Sequence, residues 1–118
     1  MRKAVLDTSF ILTCARQKID FLHELDLLGM QSIIPEGVIS EIDGLSKKPE
    51  AKLAKVILEK NRRKFWVENL RGKTVDSSII NYAREHPKVM VATLDREIKA
   101  KTKNPKIVIR QKKIVEII

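Results

Sequence analysis

Short runs of β-branched and aliphatic residues recur along the chain, separated by stretches whose apolar positions fall three and four residues apart. Runs of the first kind predict strands at Lys3–Leu6, Ser32–Ile34, Phe65–Glu68, Val89–Thr93 and Ile107–Arg110, with Ile114–Ile118 as a further candidate. The second kind predicts helices over Ser9–Lys18, Asp20–Leu28, Gly37–Leu45, Glu50–Arg62, Val75–Glu85 and Asp95–Thr102. Several boundaries have local causes. Asp20 suits an N-cap and Gly29 a stop, Pro35 suits a helix start, and Ser46-Lys47-Lys48-Pro49 and Pro87 interrupt helical spacing. Near-continuous apolar strands alternating with helices predict an α/β, three-layer sandwich, a mainly parallel sheet covered on both faces. No linker, repeat or low-complexity stretch divides the pattern, so residues 1–118 read as one domain.

Composition narrows the setting. A single Cys14 excludes an intrachain disulfide framework, and with only His23 and His86 beside it no Cys/His zinc site can be assembled. Both histidines read as helix-surface or helix-end residues. No apolar run reaches the roughly 20 residues needed to span a bilayer, and an acid arrives too early for a signal peptide. A cytoplasmic protein without membrane contact is expected. The net charge of +9 is uneven: residues 60–118 carry 16 basic and 6 acidic side chains, against 8 and 9 before them. Such an excess attracts nucleic acid, although a Lys-rich thermophile surface accounts for it equally well.

Familiar cofactor and nucleophile motifs are missing. The four glycines form neither a dinucleotide fingerprint nor a P-loop, and no serine lies in a nucleophile elbow. Carboxylates in unusual places remain. Asp7 follows the apolar Ala4-Val5-Leu6, and Asp95 follows Val89 to Leu94, so both stand at the carboxyl ends of buried strands, where α/β sheets bind ligands. Each also precedes a helix, so N-capping competes as an explanation. Asp76 shares a helix face with Ile79, Ile80 and Ala83, and Glu41 lies at the margin of an apolar arc formed by Val38, Ile39, Ile42 and Leu45. Asp43, about 200° around the wheel from Glu41, points elsewhere. Acids gathered at one edge repel one another unless a cation joins them, and oxygen-only ligands suit Mg2+ or Mn2+. Such a site hydrolyses phosphodiesters.

These segments resemble the PIN domain, a family of metal-dependent ribonucleases. The likeness lies in Val5-Leu6-Asp7-Thr8-Ser9, Pro35 to Ile42, Thr74-Val75-Asp76-Ser77-Ser78-Ile79-Ile80 and Val91-Ala92-Thr93-Leu94-Asp95-Arg96-Glu97, in the family's order along nearly the whole chain. The resemblance implies a five-stranded parallel sheet of order 3-2-1-4-5 and an acidic tetrad of Asp7, Glu41, Asp76 and Asp95, with Ser9 and Thr93 as orienting hydroxyls. It implies Mg2+ or Mn2+ dependence, endonucleolytic cleavage of RNA and frequent homodimers. The run Asp95-Arg96-Glu97-Ile98-Lys99 is similar to the archaeal and eukaryotic branch related to ribosomal RNA processing nucleases, while VapC-type toxins share the core. An antitoxin or a ribosome-assembly factor is the partner implied. Ser77 stands where many relatives carry a second acid.

Lys99, Lys101, Lys103 and Lys106 follow Asp95 closely and are the preferred contacts to an RNA backbone. Lys60, Arg62, Arg63 and Lys64 precede Phe65 and Trp66, which read as strand residues beside solvated cations rather than a stacking platform. A catalytically silent RNA-binding factor would keep the fold and charge without needing the tetrad. Phospho-aspartyl proteins also use a strand-end acid, but the phosphatase type needs a second Asp where Ser9 stands, and the receiver type needs paired acids at its first strand.

Overall fold

The computed structural model describes residues 2–117. In chain order the elements are β1 (Arg2–Leu6), α1 (Thr8–Arg16), α2 (Phe21–Leu27), β2 (Met30–Pro35), α3 (Glu36–Gly44), α4 (Pro49–Lys60), a 3-10 turn (Arg62–Lys64), β3 (Phe65–Glu68), α5 (Val75–Glu85), β4 (Met90–Ala92), α6 (Arg96–Lys101), β5 (Lys106–Arg110) and β6 (Lys113–Ile117). The strands form one six-stranded sheet in the order β3-β2-β1-β4-β5-β6. The first five run parallel in the expected order. β6 pairs antiparallel with β5 and forms the edge; the last residue of that expected strand, Ile118, lies outside the described residues.

Successive residues Ala4, Val5 and Leu6 of β1 are all buried, and because side chains alternate across a strand, both sheet faces are covered. That is the three-layer arrangement the continuous apolar runs require. Phe10, Ile11, Phe21, Leu22, Leu25, Ile79 and Ile98 carry the helices onto the sheet. Cys14 is part of this core, and burial pushes its thiol up to about 12, so it takes no part in thiolate chemistry near neutral pH.

Local chemistry sets the boundaries. Asp20 accepts from His23 N at the start of α2, and Gly29 takes the left-handed φ of 76° that closes it. β2 is longer than the expected Ser32–Ile34 because Met30 and Gln31 pair with Arg2 and Lys3 of β1, and Pro35 with Glu68 of β3. β4 is shorter than expected, since Thr93 leaves the ladder to bond across to the neighbouring loop. A Cβ on Gly37 would lie 2.8 Å from Val75 Cγ2, so this glycine lets α3 approach the start of α5. Among the described residues, no helix is long and apolar enough to cross a membrane.

Candidate active site

From β1 the sheet grows outwards through β2 and β3 on one side and through β4 and β5 on the other, so the winding reverses between β1 and β4. A crevice opens at such a point, outside the strands' carboxyl ends. Leu6 and Ala92 are partners in the β1–β4 register, and Asp7 N donates to Ala92 O at 3.0 Å, so Asp7 and Thr93 leave the sheet side by side.

Asp7 occupies the N-cap position of α1, yet its carboxylate makes no cap hydrogen bond. Instead Oδ2 accepts from Ser9 Oγ and from Thr93 Oγ1, both at 2.9 Å. Asp7 is 4% exposed. Its Oδ1 accepts no hydrogen bond among the described residues, and it is not one of the side-chain atoms sealed without a partner, which are Gln17 Oε1 and Ser32 Oγ. One oxygen is therefore pinned, and the other is left unpartnered without being sealed in. The same hydroxyls bind the loop after β4: Ser9 Oγ accepts from Leu94 N at 3.2 Å and Thr93 Oγ1 from Asp95 N at 3.0 Å.

Asp95 does cap its helix. Its Oδ1 accepts from Glu97 N at 2.8 Å and Ile98 N at 3.1 Å. Asp76 lies in the first turn of α5 without being its cap, because Thr74 and Ser77 form a reciprocal capping box there. Glu41, exposed on α3, accepts a short hydrogen bond from Thr8 Oγ1, which fastens it to the first turn of α1. Burial raises the proton affinity of Asp76, and the charges of Asp7, Asp95, Glu41 and Glu97 raise it further. The other three predicted acids thus each act on Asp76.

Two members of the cluster escaped the sequence reading. Thr8 follows Asp7 directly, and its signal was only that a hydroxyl there starts a helix. Glu97 sits two residues after Asp95 and is paired with Lys101 at 2.7 Å, an ordinary i,i+4 contact, yet it adds a fourth negative charge acting on Asp76.

Among the described residues, no three acidic, histidine or cysteine side chains converge closely enough to enclose one ion. The donor set still fits Mg2+ or Mn2+: it is all hard oxygen, and Asp7 presents one free carboxylate oxygen. Mg2+ typically takes only one or two protein carboxylates and keeps several waters.

The lysines divide. Lys106 Nζ donates to the carbonyls of Thr102 and Asn104, and burial followed by the charge of Lys99 lowers its pKa. Lys99 is half-buried and Lys103 exposed, with no ion pair for either among the described residues. Trp66 is a half-exposed β3 residue with Lys3 Nζ 5.5 Å from its ring centroid.

The wound sheet with acids at its switch point defines a PIN-type nuclease fold. A family model described as a PIN-like domain matches residues 4–112, and the chain belongs to that family. Ribonuclease VapC4 of Methanocaldococcus jannaschii is 32% identical over an alignment of 127 residues, covering 99% of this chain and 97% of that protein. The structure of the PIN domain endonuclease Utp24 superposes with a TM-score of 0.77 at 24% identity, over 95% of this chain and 88% of the other. A domain of a functionally unknown M. jannaschii protein gives a TM-score of 0.61 at 18% identity, over 93% and 92%. The two structures speak for the fold.

Proposed function

We propose that this chain is a metal-dependent endoribonuclease whose Asp7, Glu41, Asp76 and Asp95 hold Mg2+ or Mn2+. The observation that carries this reading is the state of Asp7: a nearly buried carboxylate that does not cap its helix and is held through one oxygen by two hydroxyls, leaving the other oxygen without a partner among the described residues. The choice of RNA draws on the relative named a ribonuclease, which aligns with nearly the whole chain.

An ion of this class, when bound, polarises a phosphoryl oxygen and makes the attacking water more acidic. The chain's own residues prepare for it. Ser9 and Thr93 keep Asp7 from swinging towards the free N–H groups of α1. Thr8 holds Glu41 towards the same edge. The cluster repels itself, so its members favour a cation over the empty state, and Asp76 registers that repulsion as raised proton affinity. Lys99, Lys101 and Lys103 supply positive charge for RNA phosphates.

A toxin-like ribonuclease controlled by an antitoxin is favoured by the kinship with VapC4. A role in ribosomal RNA processing rests on the likeness of the Asp95 to Lys99 run. Self-association into a homodimer is part of the same reading, and sedimentation of the purified protein tests it. The decisive assay is cleavage of single-stranded RNA with Mn2+ and with excess chelator. Cutting that the chelator abolishes supports the proposal; binding without cutting at any metal concentration favours a silent RNA-binding factor.

A further inference from the structure

The C-terminal turns of α5 and α6 enclose a second, cationic cleft at the end of these helices opposite the acids. Arg84, Lys101 and Lys103 line it, with Ala83 and Asn104 buried beside them and no carboxylate in its lining. Its volume of about 470 Å3 lies in the range of small-ligand sites. The walls are fixed. Asn104 Nδ2 donates to the carbonyls of Ala83, His86 and Val89 at 3.0, 2.9 and 2.8 Å, tying the segment after α6 to the end of α5. Arg84 Nε donates to Lys101 O at 3.2 Å, which holds the guanidinium across the cleft.

Part of this arrangement compensates helix ends, whose free carbonyls attract cations. That explains the Nε bond and not the rest. The other guanidinium N–H groups of Arg84 have no acceptor, and Arg84 and Lys103 have no ion pair, among the described residues. Lys101 has Glu97 as its counter-charge, so Arg84 and Lys103 are the two like charges beside the cleft that an anion would relieve. A planar guanidinium held by one edge presents the fork geometry that suits phosphate. Asn104 has spent its amide on carbonyls, so it offers no N–H for reading bases.

We propose that this cleft binds a backbone phosphate of the RNA substrate, remote from the bond that is cut. The inference rests on the ribonuclease reading. Arg84 follows Asp76 by eight residues of α5, about 12 Å along the helix at 1.5 Å per residue, so the phosphate held there belongs to a nucleotide beyond the one whose bond is cut.

The test measures affinity for a labelled single-stranded RNA longer than the molecule, by fluorescence anisotropy in excess chelator over a series of salt concentrations. Arg84→Ala combined with Lys103→Ala should lower the affinity and make the log K against log salt slope shallower by about 1.4, roughly 0.7 per lost contact. Lys103→Gln alone, which removes no helix-end hydrogen bond among the described residues, should flatten it by about 0.7. Arg84→Lys should keep the slope and lose affinity. An unchanged slope in both the double variant and Lys103→Gln overturns the proposal, and a lowered melting temperature alongside it identifies Arg84 as a helix-end cap only. Absence of salt-dependent RNA binding in the wild type overturns the ribonuclease reading instead.

Discussion

Asp7 and Asp95 stand in the same setting and are used differently. Each follows an inner strand, β1 or β4, and each sits at the N-cap of the next helix. Asp95 spends Oδ1 on two backbone N–H groups of α6, whereas Asp7 leaves α1 without a side-chain cap. A good cap is worth about 0.5–2 kcal/mol, and Asp7 forgoes it. The difference comes from neighbours: Ser9 and Thr93 offer Asp7 two hydroxyls at 2.9 Å, so the carboxylate turns to them instead of to the N–H groups of α1. A strand-end acid thus declares its role through its donors, not through its place in the chain.

The largest expected effect follows from that contrast. Asp7→Asn keeps an acceptor for both hydroxyls and removes the charge, so the fold should persist while RNA cleavage at matched Mn2+ falls on the order of 10³-fold, several kcal/mol of transition-state stabilisation. Near-normal cutting by this variant would remove Asp7 from the site and leave its unusual hydrogen bonding unexplained. Thr93→Val and Ser9→Ala, which free Asp7 Oδ2, should each cost about 10–100-fold in Mn2+ affinity or cleavage. Thr8→Val should lower Mn2+ affinity by less, since Glu41 is exposed and keeps its own mobility, and Thr8→Ser should restore it. Mn2+ titration followed by calorimetry reads all four without relying on turnover.

Asp95 sharpens the comparison through stability. Asp95→Ala should lose cleavage and also about 0.5–2 kcal/mol of folding stability, whereas Asp95→Asn, an equally good cap, should lose cleavage alone. Urea unfolding in chelator separates the two. Equal stability of both variants would mean that the bonds to Glu97 and Ile98 contribute nothing, and the distinction from Asp7 would weaken.

Much of this was legible in the residues. Continuous apolar runs marked the inner strands, the break residues marked most helix ends, and acids after strands marked the edge. β6 was harder, because Ile114 to Ile117 is half-buried against a single neighbour and its apolar run is weak evidence for pairing. Whether Asp7 or Asp95 capped its helix could not be read at all, since both precede a helix start and the deciding donor, Thr93, is 86 residues from Asp7. Thr8 escaped for the same reason: its bond to Glu41 spans 33 positions. Lys106 looked like a phosphate contact because only the folded chain brings its ammonium onto the carbonyls of Thr102 and Asn104.

The smallest effect concerns Asp76, which among the described residues neither caps a helix nor receives a hydroxyl, and so reports the charge of the others. Its proton affinity is raised in the folded state, first by burial and then by Asp7, Asp95, Glu41 and Glu97. A folded protein that holds this proton more tightly than the unfolded chain loses stability as pH rises from the ordinary aspartate value through the raised one. At neutral pH, with chelator present, Asp76→Asn should therefore melt slightly higher than wild type, and the gain should vanish as pH falls below about 4. Mn2+ should reverse the order, because a ligand at 100 times its Kd adds about 2.7 kcal/mol to a protein that binds it, and the variant binds it less well. A lower melting temperature for Asp76→Asn in chelator at neutral pH would show that attraction to the N-terminus of α5 outweighs repulsion by the four acids, and the crowded cluster would lose its electrostatic support.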